Sequence, residues 1–174
     1  MRRLRYGVAA SLDGFIAGPN GEYDWIVQDP SFDFAALWEQ FDTLVMGRLS
    51  YEAASVRFGS LKSTGKKIVV VSTRLDPAQH PDLTIVSANI AETVAAMKAE
   101  SGKDIWLSGG GMLFRALLDA GLVDSIELSV IPVLLGGGVP LVTAGLRRTL
   151  HLDESYALPS GILRLKYSVV LTRN

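Results

Sequence analysis

The chain has 174 residues, of which 48% are hydrophobic and 20% charged, with a formal net charge of -1; this suits one compact domain spanning residues 1–174 and excludes a generally basic nucleic-acid surface. It contains no cysteine, and its two histidines, His80 and His151, lie far apart, so disulfides, thiolate chemistry and a metal site are not expected. The apolar stretch after the basic N-terminus ends at Ser11 and Asp13, and Val130 to Leu135 is cut by Pro132 and Gly136; neither a secretory leader nor a membrane span is encoded, and a cytoplasmic location is expected.

Arg5 to Ala10 reads as a central strand running into Ser11-Leu12-Asp13-Gly14, and Gly14 to Gly21 as a turn-rich flap. Ser31 is placed to cap a helix with Phe34, Leu37, Trp38 and Phe41 on one face and Asp33 in its first turn. No Lys, Arg or His occurs between Tyr6 and Met46, so a ligand wall built by that segment is apolar and acidic and cannot hold a phosphate. Thr43 to Met46 is a second strand, turning through Gly47-Arg48-Leu49-Ser50 into a helix, which is a candidate anion site.

The stretch GSLKSTGKK from Gly59 to Lys67 resembles a P-loop only superficially: it precedes a strand, and Lys67 stands where Ser or Thr is needed. The β-branched run from Lys67 to Val71 ends in Ser72-Thr73-Arg74, and Asn89 with Glu92 resembles a capping box opening a helix that buries Ile90, Val94 and Met97. Next comes DIWLSGGGMLFRALLDAG: a buried strand over Ile105 to Leu107, three glycines, and a helix with Met112, Leu113, Ala116, Leu117 and Ala120 on one stripe. Glycines at a strand-to-helix turn let the backbone approach a ligand, and the helix N-terminus faces it with free N–H groups, the chemistry of a phosphate site. It is not the dinucleotide fingerprint, since Phe114 stands where the last glycine belongs. A long strand from Ser125 to Leu135, a wide turn at Gly136 to Gly138, and a final strand from Leu163 to Thr172 with Leu163, Leu165, Tyr167, Val169 and Leu171 on one face complete the chain. The order predicts an α/β fold with a mostly parallel sheet, antiparallel C-terminal strands, and ligands at the strand ends.

The combination of Ala10-Ser11-Leu12-Asp13-Gly14, Met46 to Glu52, Val71 to Arg74, Ser108 to Gly111, and Ile131-Pro132-Val133 through Gly137 resembles the dihydrofolate reductase-like superfamily. The nearest branch holds the reductase domain of bacterial riboflavin-biosynthesis deaminase/reductases. The resemblance implies a three-layer α/β/α fold, NADPH as cofactor, and hydride transfer to a pterin-, pyrimidine- or flavin-like ring. It gives the pyrophosphate to Gly109, Gly110 and Gly111, the phosphates and adenosine side to Gly47, Arg48 and Ser50, and the 2′-phosphate to Ser72, Thr73 and Arg74. Ala10 and Ser11 would flank the nicotinamide, with Asp13 opening the loop that covers it. On the substrate side Asp33 is nearest to the family's pterin-binding carboxylate, and Ser129 occupies the place where relatives carry a hydroxyl facing the substrate carboxylate, so Asp33, Ser129 and Asp13 are the catalytic candidates. Lys66 stands where the family carries an arginine for a substrate carboxylate. A riboflavin-pathway pyrimidine reductase and a non-catalytic NADP(H)-binding module are the alternatives. The expected partners are a small-molecule substrate and, as an open alternative, a second copy in a homodimer; nucleic acid and membrane are not expected.

Overall fold

A computed structural model of the protein describes residues 1–170. Strand β1 (Leu4–Ser11) leads through β2 (Phe15–Ala17) and a short helix α1 (Phe34–Trp38) to β3 (Phe41–Gly47). Helix α2 (Arg48–Phe58), β4 (Lys67–Val71), β5 (Thr84–Val86), α3 (Ile90–Ala99), β6 (Asp104–Leu107) and α4 (Gly111–Asp119) follow. Strands β7 (Ser125–Ile131), β8 (Val139–Pro140), β9 (Leu150–Ala157) and β10 (Leu163–Val169) close the described chain. Eight strands form one sheet in the order β5-β4-β3-β6-β1-β7-β10-β9. The six from β5 to β7 run parallel, while β10 is antiparallel to β7 and β9 antiparallel to β10, with a register shift at Lys166/Tyr167. This is the expected dihydrofolate reductase-like arrangement.

The central strands are apolar on both faces because both are covered. On one face Leu4, Tyr6, Val45, Val69, Ile105 and Leu107 pack against Val94 and Met97 of α3 and Phe114 and Leu117 of α4. There Tyr6 stacks flat on Phe114 with ring centroids 3.9 Å apart. On the other face Leu44, Met46, Ile68 and Val70 pack against Trp38, Tyr51, Ala54 and Trp106. Among the described residues no helix is long and apolar enough to cross a membrane.

Several local expectations are corrected. Helix α1 has only five residues and is capped by Asp33, whose Oδ1 accepts from Ala36 N at 2.9 Å, while Ser31 instead donates to Asp29. Phe41 belongs to β3, its ring 4.9 Å from that of Trp106; it seeks the same aromatic cluster as Phe34 and Trp38, so a helix-to-strand junction mimics helical spacing. Asn89 adopts a left-handed φ of 52° and makes no side-chain cap. The stripe of α4 is rotated, with Gly111, Phe114, Leu117 and Leu118 buried and Met112 exposed. Strand β7 stops at Ile131 because Pro132 has no N–H for the ladder. Strands β5 and β9 were not expected, and Leu171 and Thr172 of the expected last strand lie outside the described residues.

The Gly14–Gly21 flap is a hairpin partner: β2 pairs antiparallel with β8. Asp13 pins its base. Its carboxylate accepts from Ser11 Oγ at 2.6 Å, from Leu135 N at 3.1 Å and from Gly136 N at 2.7 Å, while Ser11 Oγ accepts from Phe15 N at 3.0 Å. The Ser11 hydroxyl first, and the Gly136 and Leu135 amides after it, hold the Asp13 carboxyl below its usual range. A lowered folded-state pKa means that the clasp contributes fully above the ordinary aspartate pKa of about 4 and is lost as pH falls through the lower folded value. At neutral pH, Asp13→Ala is expected to speed hydrogen exchange at the Leu135, Gly136 and Phe15 amides, leaving α3 and α4 protected; unchanged exchange there would mean that the clasp holds nothing. A second position tests the packing beneath the cleft. A Cβ on Gly7 would lie 2.7 Å from Trp106 Nε1, which donates to Gly7 O at 2.9 Å. Gly7→Ala is expected to displace the indole and cost about 1–3 kcal/mol, read from denaturant unfolding with tryptophan fluorescence.

Candidate functional site

One cleft of about 2050 Å³ runs across the carboxyl ends of the parallel strands, where open α/β sheets bind ligands. The volume exceeds that of an ordinary single-ligand pocket. Its two halves differ in chemistry.

In one half, backbone N–H groups dominate. Helix α2 begins at Gly47 and α4 at Gly110, and neither has a side-chain cap. The two N-termini are neighbours, since Gly47 N donates to Gly109 O at 3.3 Å. Each leaves orphan N–H donors and a positive dipole end facing the same cleft. Gly109 has a φ of 114°, a conformation that side chains resist, and Gly110 has an ordinary φ of -87° with nothing nearer its Cβ position than Ser50 Oγ at 3.9 Å. A Cβ on Gly111, by contrast, would meet Pro140 O at 2.7 Å. Of the three glycines, one supplies the turn, one keeps the ligand side open, and one lets β8 pass.

Gly47, Arg48, Ser50, Ser72, Thr73, Arg74, Gly109, Gly110 and Gly111 all line this cleft. The Arg48 guanidinium forms an i,i+4 pair with Glu52 at 2.7 Å. The Ser72 hydroxyl oxygen accepts from Arg74 N at 3.0 Å and Leu75 N at 3.2 Å, which orders the turn and leaves its proton free to donate. Thr73 and Arg74 are exposed at the rim. Ala10 and Ser11 do not line the cleft: both are buried, and Gly7, Val8 and Ala9 form the wall in their place.

The other half is apolar on its sides and charged on its floor. Phe32, Phe34, Leu37, Phe41 and Trp106 supply the sides. On the floor Glu127 of β7 takes a bidentate pair from Arg5 of β1, Nε to Oε1 at 2.6 Å and Nη2 to Oε2 at 2.8 Å, with both side chains nearly buried. Burial works to lower the Arg5 pKa, but the hydrogen bonds and charges of Glu127 and Asp104 outweigh it and raise the value. Ser129 faces Arg164, whose Nη1 donates to its Oγ.

Asp13 and Asp33 do not line the cleft. Asp13 is spent on the flap clasp described above. Asp33, spent on the α1 cap, opens onto a smaller pocket of about 220 Å³. Arg5, Phe32, Leu37, Glu127 and Arg164 line both spaces and form the wall between them. Lys66 donates to Trp38 O at 2.9 Å and Phe41 O at 2.7 Å, so it ties α1 to β3 and is not a cleft residue. Sequence reasoning missed Arg5, Glu127 and Arg164. A charge within an otherwise apolar strand was the available signal for the first two.

The family model described as the RibD C-terminal domain matches residues 54–164, more than half of the chain. The uncharacterized protein YyaP of Bacillus subtilis (strain 168) is 34% identical over 179 residues, covering 95% of this chain and 94% of that protein. The riboflavin biosynthesis protein RibD of Corynebacterium ammoniagenes is 26% identical over 156 residues, covering 82% of this chain but 46% of that protein. Among solved structures, a putative riboflavin biosynthesis protein from Shewanella sp. PV-4 superposes with a TM-score of 0.83 at 26% identity, over 98% of this chain and 100% of that one. With the glycine-lined cleft and the sheet order already described, these matches show that the chain belongs to the RibD C-terminal domain family, a reductase-like branch of the dihydrofolate reductase-like superfamily.

Proposed function

We propose that the protein is an NADPH-dependent reductase that delivers a hydride to a small planar heterocycle of the pterin, pyrimidine or flavin kind. The observation that carries the reading is the pair of adjacent, uncapped helix N-termini opening on one cleft with a side-chain-free turn between them. Orphan N–H groups that no side chain satisfies suit a pyrophosphate, and the cleft has room for a dinucleotide and a second ligand together. Gly47, Ser50 and Gly109 to Gly111 would hold the phosphates, and Arg48, Ser72, Thr73 and Arg74 the 2′-phosphate end. Bound NADPH would supply the hydride.

The remaining work falls to the chain itself. Gly7, Val8 and Ala9 offer a flat backbone wall without bulky side chains against which a ring can lie. Phe32, Phe34, Phe41 and Trp106 exclude water from the other side, and Glu127, fixed by Arg5, presents acceptor lone pairs to ring N–H groups. For the proton we infer water as the immediate donor, entering from the smaller pocket that Asp33 borders and that shares a wall with the cleft. The riboflavin-pathway pyrimidine is one member of the substrate class and is included in the test.

Calorimetry with NADPH and NADH, then loss of reduced-nicotinamide absorbance with a panel of pterins, flavins and pyrimidines, tests the reading. NADPH is expected to bind about ten- to a hundred-fold more tightly than NADH, the value of a charge-assisted pair of about 1.5–3 kcal/mol, and Arg48→Ala is expected to narrow the gap. Equal affinities would remove the 2′-phosphate assignment. Gly110→Val is expected to fold normally, its backbone being ordinary and its Cβ space open, and to lose NADPH binding. An unaltered titration with that variant would show that the glycines serve the turn alone. Cofactor binding without turnover on any of the panel would favour a non-catalytic NADP(H)-binding module.

A further inference from the structure

Strands β7, β10 and β9 carry their charge on one face. In register across them stand Glu127, Lys166 and Glu154, then Ser129, Arg164 and Tyr156, then Ser125, Ser168 and His151. Glu127, Ser129 and Arg164 line the cleft, so this is the cleft face. Side chains alternate along a strand, and the residues between these form the other face. Its rows are Leu128, Leu165 and Ser155, then Val130, Leu163 and Ala157, then Ile126, Tyr167 and Leu152, with Val169 opposite Leu150. None of them is charged.

A bulge completes this segregation. Unbroken alternation along β9 would put Leu150 and Leu152 on the face of Glu154 and Tyr156. The extra residue, Asp153, at the register shift beside Lys166/Tyr167, turns both leucines to the face of Tyr167 and Val169. The Asp153 carboxylate is held on the cleft side by the hydroxyl of Ser168, 2.6 Å away.

An uncharged, largely apolar sheet face is stable when another layer covers it. Tyr167 and Val169 reach the core that α3 and α4 build. Beyond them Leu150, Leu152 and Leu163 keep 38, 45 and 39% of their surface exposed, Ser155 and Ala157 are exposed, and Leu128, Val130 and Leu165 are half-buried. With a rise of about 3.3 Å per residue and a spacing of about 4.8 Å between strands, this face measures about 25 by 14 Å in plan. Side chains stand out of that plan, so two such faces pressed together bury roughly 1,000 Å², the size at which specific interfaces begin.

We propose that this face is the interface of a two-fold symmetric homodimer, in which the β7, β10 and β9 strands of two copies stack face to face. A face without charge meets its own image without repulsion and without burying an unpaired ion, whereas it offers a foreign partner no charge pattern by which to be selected. The net charge of -1 does not keep two copies apart. Packed sheets lie about 10 Å apart, the distance that interdigitated leucines fill.

Sedimentation velocity across a concentration series tests the proposal, independently of any activity. The parent is expected at twice the chain mass of 18.8 kDa, and its thermal midpoint is expected to rise with protein concentration. Leu152→Glu and Leu163→Glu each place two carboxylates in a symmetric interface and are expected to weaken dimerisation by at least about a hundred-fold, with NADPH affinity unchanged because the cofactor half lies across the sheet. Ser155→Arg alters a side chain that is already exposed, so it decides the matter alone if the leucine variants do not fold. His151→Glu, on the opposite face of the same strand, is expected to remain dimeric. A parent that sediments at the chain mass at every concentration, as it would if a foreign protein were the natural cover, overturns the proposal. So does a dimer that survives Ser155→Arg, or one that His151→Glu disrupts as strongly.

Discussion

Everything about the cleft follows from two helices that begin without a cap. Of the other helix N-termini, Asp33 caps α1, and Ser60 and Asp76 cap the short 3₁₀ turns at Leu61–Thr64 and Pro77–Gln79, while α3 begins at Asn89 without a side-chain cap. At Gly47 and Gly110 no side chain is available, and the donors stay open. Water satisfies such groups in the absence of a ligand, so leaving them uncapped costs little, whereas a capping Ser or Asp would fill the space that an anion needs. The stability forgone at each cap, of the order of 1 kcal/mol, becomes binding capacity at the place where β3 and β6 end side by side.

The second constraint is electrostatic. Charges inside a sheet are tolerated only when paired and hydrogen-bonded, and Arg5 and Glu127 meet that condition with two short bonds and further acceptors at Gln40 and Asp104. Replacing them by apolar residues would leave a greasy floor with no acceptor for a ring N–H. The same face carries Trp106, Ser129 and Arg164, so charged, polar and aromatic groups alternate across neighbouring strands, while the opposite face carries no charged residue on β1 or β7 and packs Leu4, Tyr6 and Ile126 into the core. One side of this half of the sheet builds the core, and the other builds a ligand site.

The large features were legible because they are repeated in several residues. Continuous apolar runs such as Val69-Val70-Val71 and the glycine triplet mark buried strands and a strand-to-helix turn whatever surrounds them. The mostly parallel sheet and its antiparallel end followed from strands alternating with helices and then not. What sequence could not reveal was where single side chains are spent. Asp33, Asp13 and Lys66 are each of the right type for a ligand site, yet each is consumed by backbone groups: a helix cap, a flap clasp, and two carbonyls between α1 and β3. Arg5, Glu127 and Arg164 come from three separated strands, and only their pairing across β1, β7 and β10 brings them to one wall. Strand β9 was invisible for another reason: it is exposed along its whole length and so shows no apolar alternation.

That exposed strand ends the sheet, pairing with β10 on one side and with nothing on the other among the described residues. An open row of N–H and C=O groups is a template on which other chains can add, and folded proteins persist at high concentration only if such templates are made unattractive. Here the middle of β9 carries Asp153 and Glu154, and Ser168 Oγ donates to Asp153 at 2.6 Å, which holds that carboxylate in place beside the edge. The register shift at Lys166/Tyr167 adds a local kink in the strand that β9 must follow. A foreign strand would have to lie flat along a bent edge beside fixed carboxylates, which makes this edge a poor template for addition.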